Sequence, residues 1–140
     1  MIASAKSSLP EVSSATITTL LASLSLPPPL TVEPLQVTAA FHSIYLVHFG
    51  ANAGVKDAVL HPITTRTRNT DGSLTLVLRV SGVDIPHTKT ANEVAVLHWL
   101  AQNTKIPVPI VVRHDATTDN ALGREFTLLE RIPGRSVDKI

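Results

Sequence analysis

The sequence predicts an α+β domain: an antiparallel sheet with one helix packed on it and an extra helix ahead of it. Three observations carry this expectation. A strand pattern beginning at Leu74, LTLVLRVSG, is followed after a turn by a helix pattern, ANEVAVLHWLAQNT, that ends at Thr104. Upstream, VEPLQVTAA and FHSIYLVHF are rich in β-branched and aromatic residues, which suit a pleated, partly buried surface. Downstream, IPVPIVV and REFTLLE return to extended character.

Taken in order, residues 1–31 read as a helical and proline-rich extension, an adaptor rather than chemistry. Pro10 and Glu11 open a helix, with Ser8 as its cap, and Ile17, Leu20, Leu21 and Leu24 supply one apolar side. Pro27, Pro28 and Pro29 stop it. Lys6 and Glu11 interrupt the early residues, which argues against a secretory signal. From Val32 onward the pattern becomes that of strands. FHSIYLVHF has apolar residues on both faces at Ile44, Tyr45, Leu46 and Val47, as a strand covered on both sides requires. Residues 50–72 form a mixed connection in which His61, Arg66 and Arg68 read as solvated side chains, and Asp71 and Gly72 mark a hairpin turn before the next strand.

The strand at Leu74 organises the rest. Leu74, Leu76, Leu78 and Val80 share one face, and Thr75, Val77 and Arg79 share the other, because successive side chains alternate along a strand. In the following helix, expected from Lys89 to Thr104, Val96, Leu97 and Leu100 make an apolar stripe with Glu93 at its N-terminal end. A carboxylate turned inward needs a cation, and Arg79 is the nearest inward-pointing one in sequence. The spacing therefore predicts a pair between Arg79 and Glu93. A second explanation stands beside it: Asn92 and Glu93 near the first helical turn would complement the helix dipole. Trp99 and Leu100 are expected to carry the apolar end of the helix, and Pro107 and Pro109 impose extended backbone leading into Ile110.

Composition excludes several classes of function. The 140 residues are 44% hydrophobic, enough for one domain and not two. Twelve basic and eleven acidic residues leave a charge of +1, and no run of like charges suggests a nucleic-acid groove or a membrane surface. The absence of cysteine removes thiolate metal sites and cysteine nucleophiles and fits a reducing compartment, so a soluble, cytoplasmic chain is expected. The six histidines lack metal-ligand spacing. His114, Asp115 and Asn120 in RHDATTDN imitate a kinase catalytic loop in the spacing of Asp to Asn. The His, however, is adjacent to the Asp instead of two residues before it, and Thr117 to Asn120 read as an ordinary turn.

The order LVLRV, NEVAVLHWL, IPVPIVV, GREFTLLERIPGRS resembles the N-terminal lobe of the aminoglycoside phosphotransferase and choline-kinase-like family, in its fungal-type members, over about residues 35–140. The resemblance implies a protein-kinase-like lobe over residues 32–140 that ends just past the hinge, with a five-stranded antiparallel sheet and one packed helix. It implies ATP as the bound nucleotide. Arg79 would reach the phosphates, held by Glu93, while Val77 packs against the base; the first hairpin turn, residues 39–43, would lie over the phosphates with Ser43 offering a hydroxyl. Leu129 would flank the back of the adenine pocket, the Glu130 carbonyl would accept from the adenine amino group, and the Ile132 N–H would donate to the ring. Many family members carry Lys where this chain has Arg79, and an Arg fork can engage Glu93 and a phosphate oxygen together but needs more room.

Phosphoryl transfer also calls for a base and for carboxylates that hold magnesium. In the resembled family these come from an HGD-type loop and a later Asp in a second lobe, and this sequence contains no HGD triplet. The expectation is a nucleotide-binding lobe that does not catalyse transfer unaided and meets a small hydroxyl acceptor only with that second lobe. Two alternatives stand beside it. One is a pseudokinase-like interaction module that self-associates or binds a partner through the exposed lobe face. The other is an α+β domain unrelated to nucleotides.

Overall fold

The structure, a computed structural model, describes residues 12–35, 42–50, 72–81, 87–106 and 108–131. Their elements are α1 (Ser14–Ser23), β1 (Thr31–Pro34), β2 (His42–Phe49), β3 (Leu74–Ser81), α2 (His87–Asn103), β4 (Val111–Asp115) and β5 (Phe126–Glu130). The strands form one antiparallel sheet in the order β1-β2-β3-β5-β4. This is the α+β, kinase-like lobe architecture that the sequence predicts.

The alternation expected along β3 holds throughout. Leu74, Leu76, Leu78 and Val80 are at most 1% exposed. They join Tyr45, Val47 and Phe49 of β2, Phe126 and Leu128 of β5, and Ile17, Leu20 and Leu21 of α1 in one apolar cluster. The N-terminal helix thus shares a core with the sheet. It is shorter than the sequence suggested: Ser13, not Ser8, is the N-cap, its Oγ accepting from Thr16 N–H at 3.1 Å. Val12 lies outside the helix and donates its N–H to the Tyr45 hydroxyl at 2.8 Å. Nor do the prolines end it. Leu26 N–H donates to Leu21 carbonyl at 2.9 Å and Ser25 N–H to Ala22 carbonyl at 3.1 Å, with Ser25 at φ 66°. This is a Schellman termination, and its usual apolar contact joins Leu21 and Leu26, both buried.

The first strand ladder covers only Thr31–Pro34, with Pro34 on the sheet edge, where its missing N–H removes no bond to an interior neighbour. The hairpin turn expected at residues 39–43 lies outside the described residues except for the start of β2, as do His61, Arg66 and Arg68. Gly72 adopts φ 87° just ahead of β3, a backbone conformation that suits glycine. At the far edge β4 runs from Val111, with an irregularity between Val111 and Arg113. Val112 faces the α1 core, and Val111 belongs to a second cluster on the other side of the sheet.

That second cluster is where α2 sits. Val94, Val111 and Leu129 form it, with Val77 and Leu97 packed against them. Thr90 is buried one turn before Val94, its hydroxyl 3.4 Å from that of Ser81. The packed side of α2 is therefore Thr90, Val94 and Leu97, at spacings of four and three. The expected stripe of Val96, Leu97 and Leu100 is corrected in part: Val96 is 56% exposed and Trp99 58% exposed. The helix begins at His87, two residues before the expected Lys89, and no acidic residue lies in its first turn. Glu93 is then a turn too far along for dipole complementation to explain it.

Candidate functional site

Every second residue of the sheet points to the α2 side, and the registers align these residues into rows across the strands. Glu33, Leu46, Val77, Leu129 and Val111 form one row, because each pairs with the next across β1, β2, β3, β5 and β4. Ile44, Arg79 and Thr127 form the adjacent row, two residues and about 7 Å further along the strands. Arg79 thus stands one step beyond an apolar band made of Leu46, Val77 and Leu129. Leu46 had no site role in the sequence reading; its register with Val77 reveals it.

The expected pair forms. Arg79 Nη1 donates to Glu93 Oε2 at 3.3 Å, joining β3 to α2. Glu93 also accepts, through Oε1, from Lys89 Nζ at 2.7 Å. Lys89 was counted in the sequence only as the start of a helix, although its spacing of four residues from Glu93 is a readable pairing signal. These side chains are roughly a quarter to two-fifths exposed, so solvent screens them and a ligand can reach them. With Asn92, Val96 and Leu97 they line an open groove of about 670 Å³ between β3 and α2.

The other candidate residues divide. Val77 and Leu129 share the face of Arg79 and meet α2 through Val94 and Leu97. Ser43 does not share it: it is in register with Val80 and alternates with Tyr45 and Val47, which puts its hydroxyl on the α1 side of the sheet. Only its backbone remains available to the α2 side. Glu130 ends β5 in a buried position, its N–H donating to the Ile110 carbonyl at 2.8 Å and its Oε1 accepting from Ile110 N–H at 3.3 Å. These bonds fix the last residue before the connector. Ile132 lies outside the described residues.

The imitation of a catalytic loop is a turn held by its own side chains. The Asp115 carboxylate accepts from Thr117 N–H at 2.8 Å, from the Thr117 hydroxyl at 2.6 Å and from Asn120 Nδ2 at 3.1 Å. Burial works against its ionisation, but the bonds from Thr117 and Asn120, aided by His114, outweigh it and hold the carboxyl below the ordinary aspartate range. With its lone pairs so occupied, Asp115 serves as a loop anchor. Among the described residues no group of three carboxylate or imidazole side chains is placed to hold a metal ion, and no helix is long and apolar enough to cross a membrane.

Two curated relatives, each called a subtelomeric hrmA-associated cluster protein and coming from two strains of Aspergillus fumigatus, are 41% identical to the chain over 51 residues. That stretch is 36% of this chain and 10% of each relative's length, so the chain spans only a small part of the relatives it matches. No solved structure matches. The model of the phosphotransferase enzyme family matches residues 64–139, more than half of the sequence and the part containing β3, α2, β4 and β5. The chain belongs to the phosphotransferase enzyme family.

Proposed function

We propose that this chain is the nucleotide-binding lobe of an ATP-dependent small-molecule phosphotransferase. The observation that carries the reading is the Arg79–Glu93 pair, set at the end of an apolar band and opening into a groove. A nucleotide needs both kinds of surface. The band of Leu46 and Val77, backed by Leu129, offers an apolar wall to the base, and the cation one row away meets the phosphates. Glu93 fixes the guanidinium, so little side-chain freedom is left to lose when a phosphate binds. The Glu130 carbonyl, at the end of β5, would accept from the adenine amino group; the N–H assigned to the ring by the resemblance is that of Ile132, outside the described residues. The Ser43 backbone, at the start of β2, approaches the phosphates from the hairpin side.

When bound with the nucleotide, magnesium would supply neutralisation of the charge that develops on the phosphates. The base that orients the acceptor hydroxyl and the carboxylates that hold the metal are not among the residues assigned here. In this reading the lobe grips and orients the nucleotide, and transfer to a small hydroxyl compound takes place against a second lobe. The test is a thermal-shift titration with MgATP. The parent chain is expected to gain stability with rising ligand, as any ligand that binds only the folded state requires. Arg79→Ala should remain folded and lose that gain. A variant that keeps the full shift would remove Arg79 from the site.

A further inference from the structure

A second polar row lies at the other end of the apolar band, on the same side of the sheet. Thr31, His48 and Thr75 are in register across β1, β2 and β3, two residues from the row of Glu33, Leu46 and Val77 and away from Arg79. Thr75 and Arg79 stand four positions apart on β3, about 14 Å, and neither Thr75 nor His48 lines the groove beside α2. Three side chains here make a continuous chain. His48 Nε2 lies 3.2 Å from Glu33 Oε1, and His48 Nδ1 lies 2.9 Å from Thr75 Oγ1. A carboxylate only accepts, so Nε2 carries the proton; in the neutral imidazole Nδ1 then keeps its lone pair, and the Thr75 hydroxyl donates to it. The order is carboxylate, imidazole, hydroxyl, each group oriented by the one before, and this relation turns a hydroxyl into a nucleophile. The ring is fixed at both nitrogens by groups on two neighbouring strands, yet the row stays open: the His48 side chain is 28% exposed and Glu33 59%, and Thr75 is partly exposed.

We propose that Thr75 is a nucleophilic hydroxyl, with His48 as its general base and Glu33 as the residue that positions the imidazole. The substrate class is a small activated carboxylic ester. Thr75 Oγ1 attacks the carbonyl carbon as its proton passes to His48 Nδ1. The bond from that carbon to the leaving oxygen breaks, the leaving oxygen takes the proton, and the acyl group stays on Thr75. Water, giving a proton to His48 Nδ1, then attacks the same carbon; the carboxylic acid departs and the proton returns to Thr75. The Glu33 carboxylate faces the imidazolium formed in each half of the cycle. This activity stands apart from the nucleotide reading, since it uses no residue assigned there.

The experiment is the release of p-nitrophenolate from p-nitrophenyl acetate by the intact chain, compared with Thr75→Val, Thr75→Ser, His48→Gln and Glu33→Gln, with melting temperatures taken alongside. The parent is expected to exceed the buffer rate. Thr75→Val and His48→Gln should each be about a hundredfold slower than the parent, the low end of what a positioned general base contributes, and Thr75→Ser should keep the rate. Glu33→Gln leaves an acceptor for Nε2–H but no charge to face the imidazolium, so kcat should fall by about tenfold while KM stays as in the parent. Valine has the shape of threonine and suits a strand, so a loss at an unchanged melting temperature isolates the chemistry; His48→Gln gives the same reading from the base, and the assignment does not rest on one variant folding. A row that only ties β1 to β3 would lower the melting temperatures and leave the release as it was, which overturns the assignment. A parent no faster than buffer overturns it too, as does Thr75→Val releasing as fast as the parent, the result that direct acylation of the imidazole would give.

Discussion

The two faces of the sheet are built from the same five strands and differ in almost everything else. The α1 face buries Leu74, Leu76, Leu78, Val80, Val47, Phe49 and Phe126 with Ile17, Leu20 and Leu21, a continuous apolar layer. The α2 face buries a smaller apolar set among the described residues, Val94, Val111, Leu129 and Leu46, beside the polar Thr90 and Thr127, and next to them carries Arg79, Glu93 and Lys89 around an open groove. Apolar burial is the main source of folding free energy, so one face stabilises the domain. The other leaves charges within reach of a ligand. A strand can serve both because its side chains alternate, and β3 does so with Leu78 and Arg79 on neighbouring positions.

The sharpest test of this division sets neighbours on β3 against each other. Leu78 is 0% exposed in the large cluster, and Leu78→Ala should cost about 2–5 kcal/mol in urea unfolding, the range for a buried leucine that leaves a cavity. Val77, partly buried on the α2 side, should cost about 1 kcal/mol as Val77→Ala. Equal losses would break the comparison. A second, smaller effect concerns the charged groups. Glu93 is 26% exposed and its partners 29% and 38%. Glu93→Gln should therefore change stability by less than about 1 kcal/mol, as ion pairs open to solvent do. A cost approaching that of Leu78→Ala would mean that the pairs act as a structural network.

The same division explains which features could be read from the sequence. The alternation of β3 was legible because period two is a local rule, and so was the pairing of Arg79 with Glu93, because an inward carboxylate needs a cation wherever the helix lies. The packed side of α2 was not. Val94, Val96, Leu97 and Leu100 surround much of the helix, and only contact with Val111 and Leu129 selects Val94 and Leu97. The face taken by Ser43 depended on the register of β2 against β3, which no residue of β2 states by itself. Lys89 was readable in principle from its spacing to Glu93. One carboxylate accepts from both neighbours, so the pair across the sheet and the pair along the helix are not alternatives.

The smallest expected effect tests whether α1 belongs to the stabilising face or is an appended helix, as its position ahead of the sheet suggested. Ser25 holds φ 66° at the end of α1, a left-handed conformation that strains any residue with a Cβ and that glycine adopts freely. Relief of that strain, reduced by the greater freedom of glycine in the unfolded chain, should make Ser25→Gly more stable by up to about 1 kcal/mol. Where this gain shows is the informative part. Ile17, Leu20 and Leu21 lie in one cluster with β2, β3 and β5, so helix and sheet should unfold in a single transition. The substitution should then raise the midpoint read by near-ultraviolet signals of Tyr45, packed in that cluster, as much as the midpoint read by helical signal. If only the helical signal moved, α1 would melt on its own. The apolar face of the sheet would then be stable without its cover, and the contrast between the two faces would rest on the strands alone.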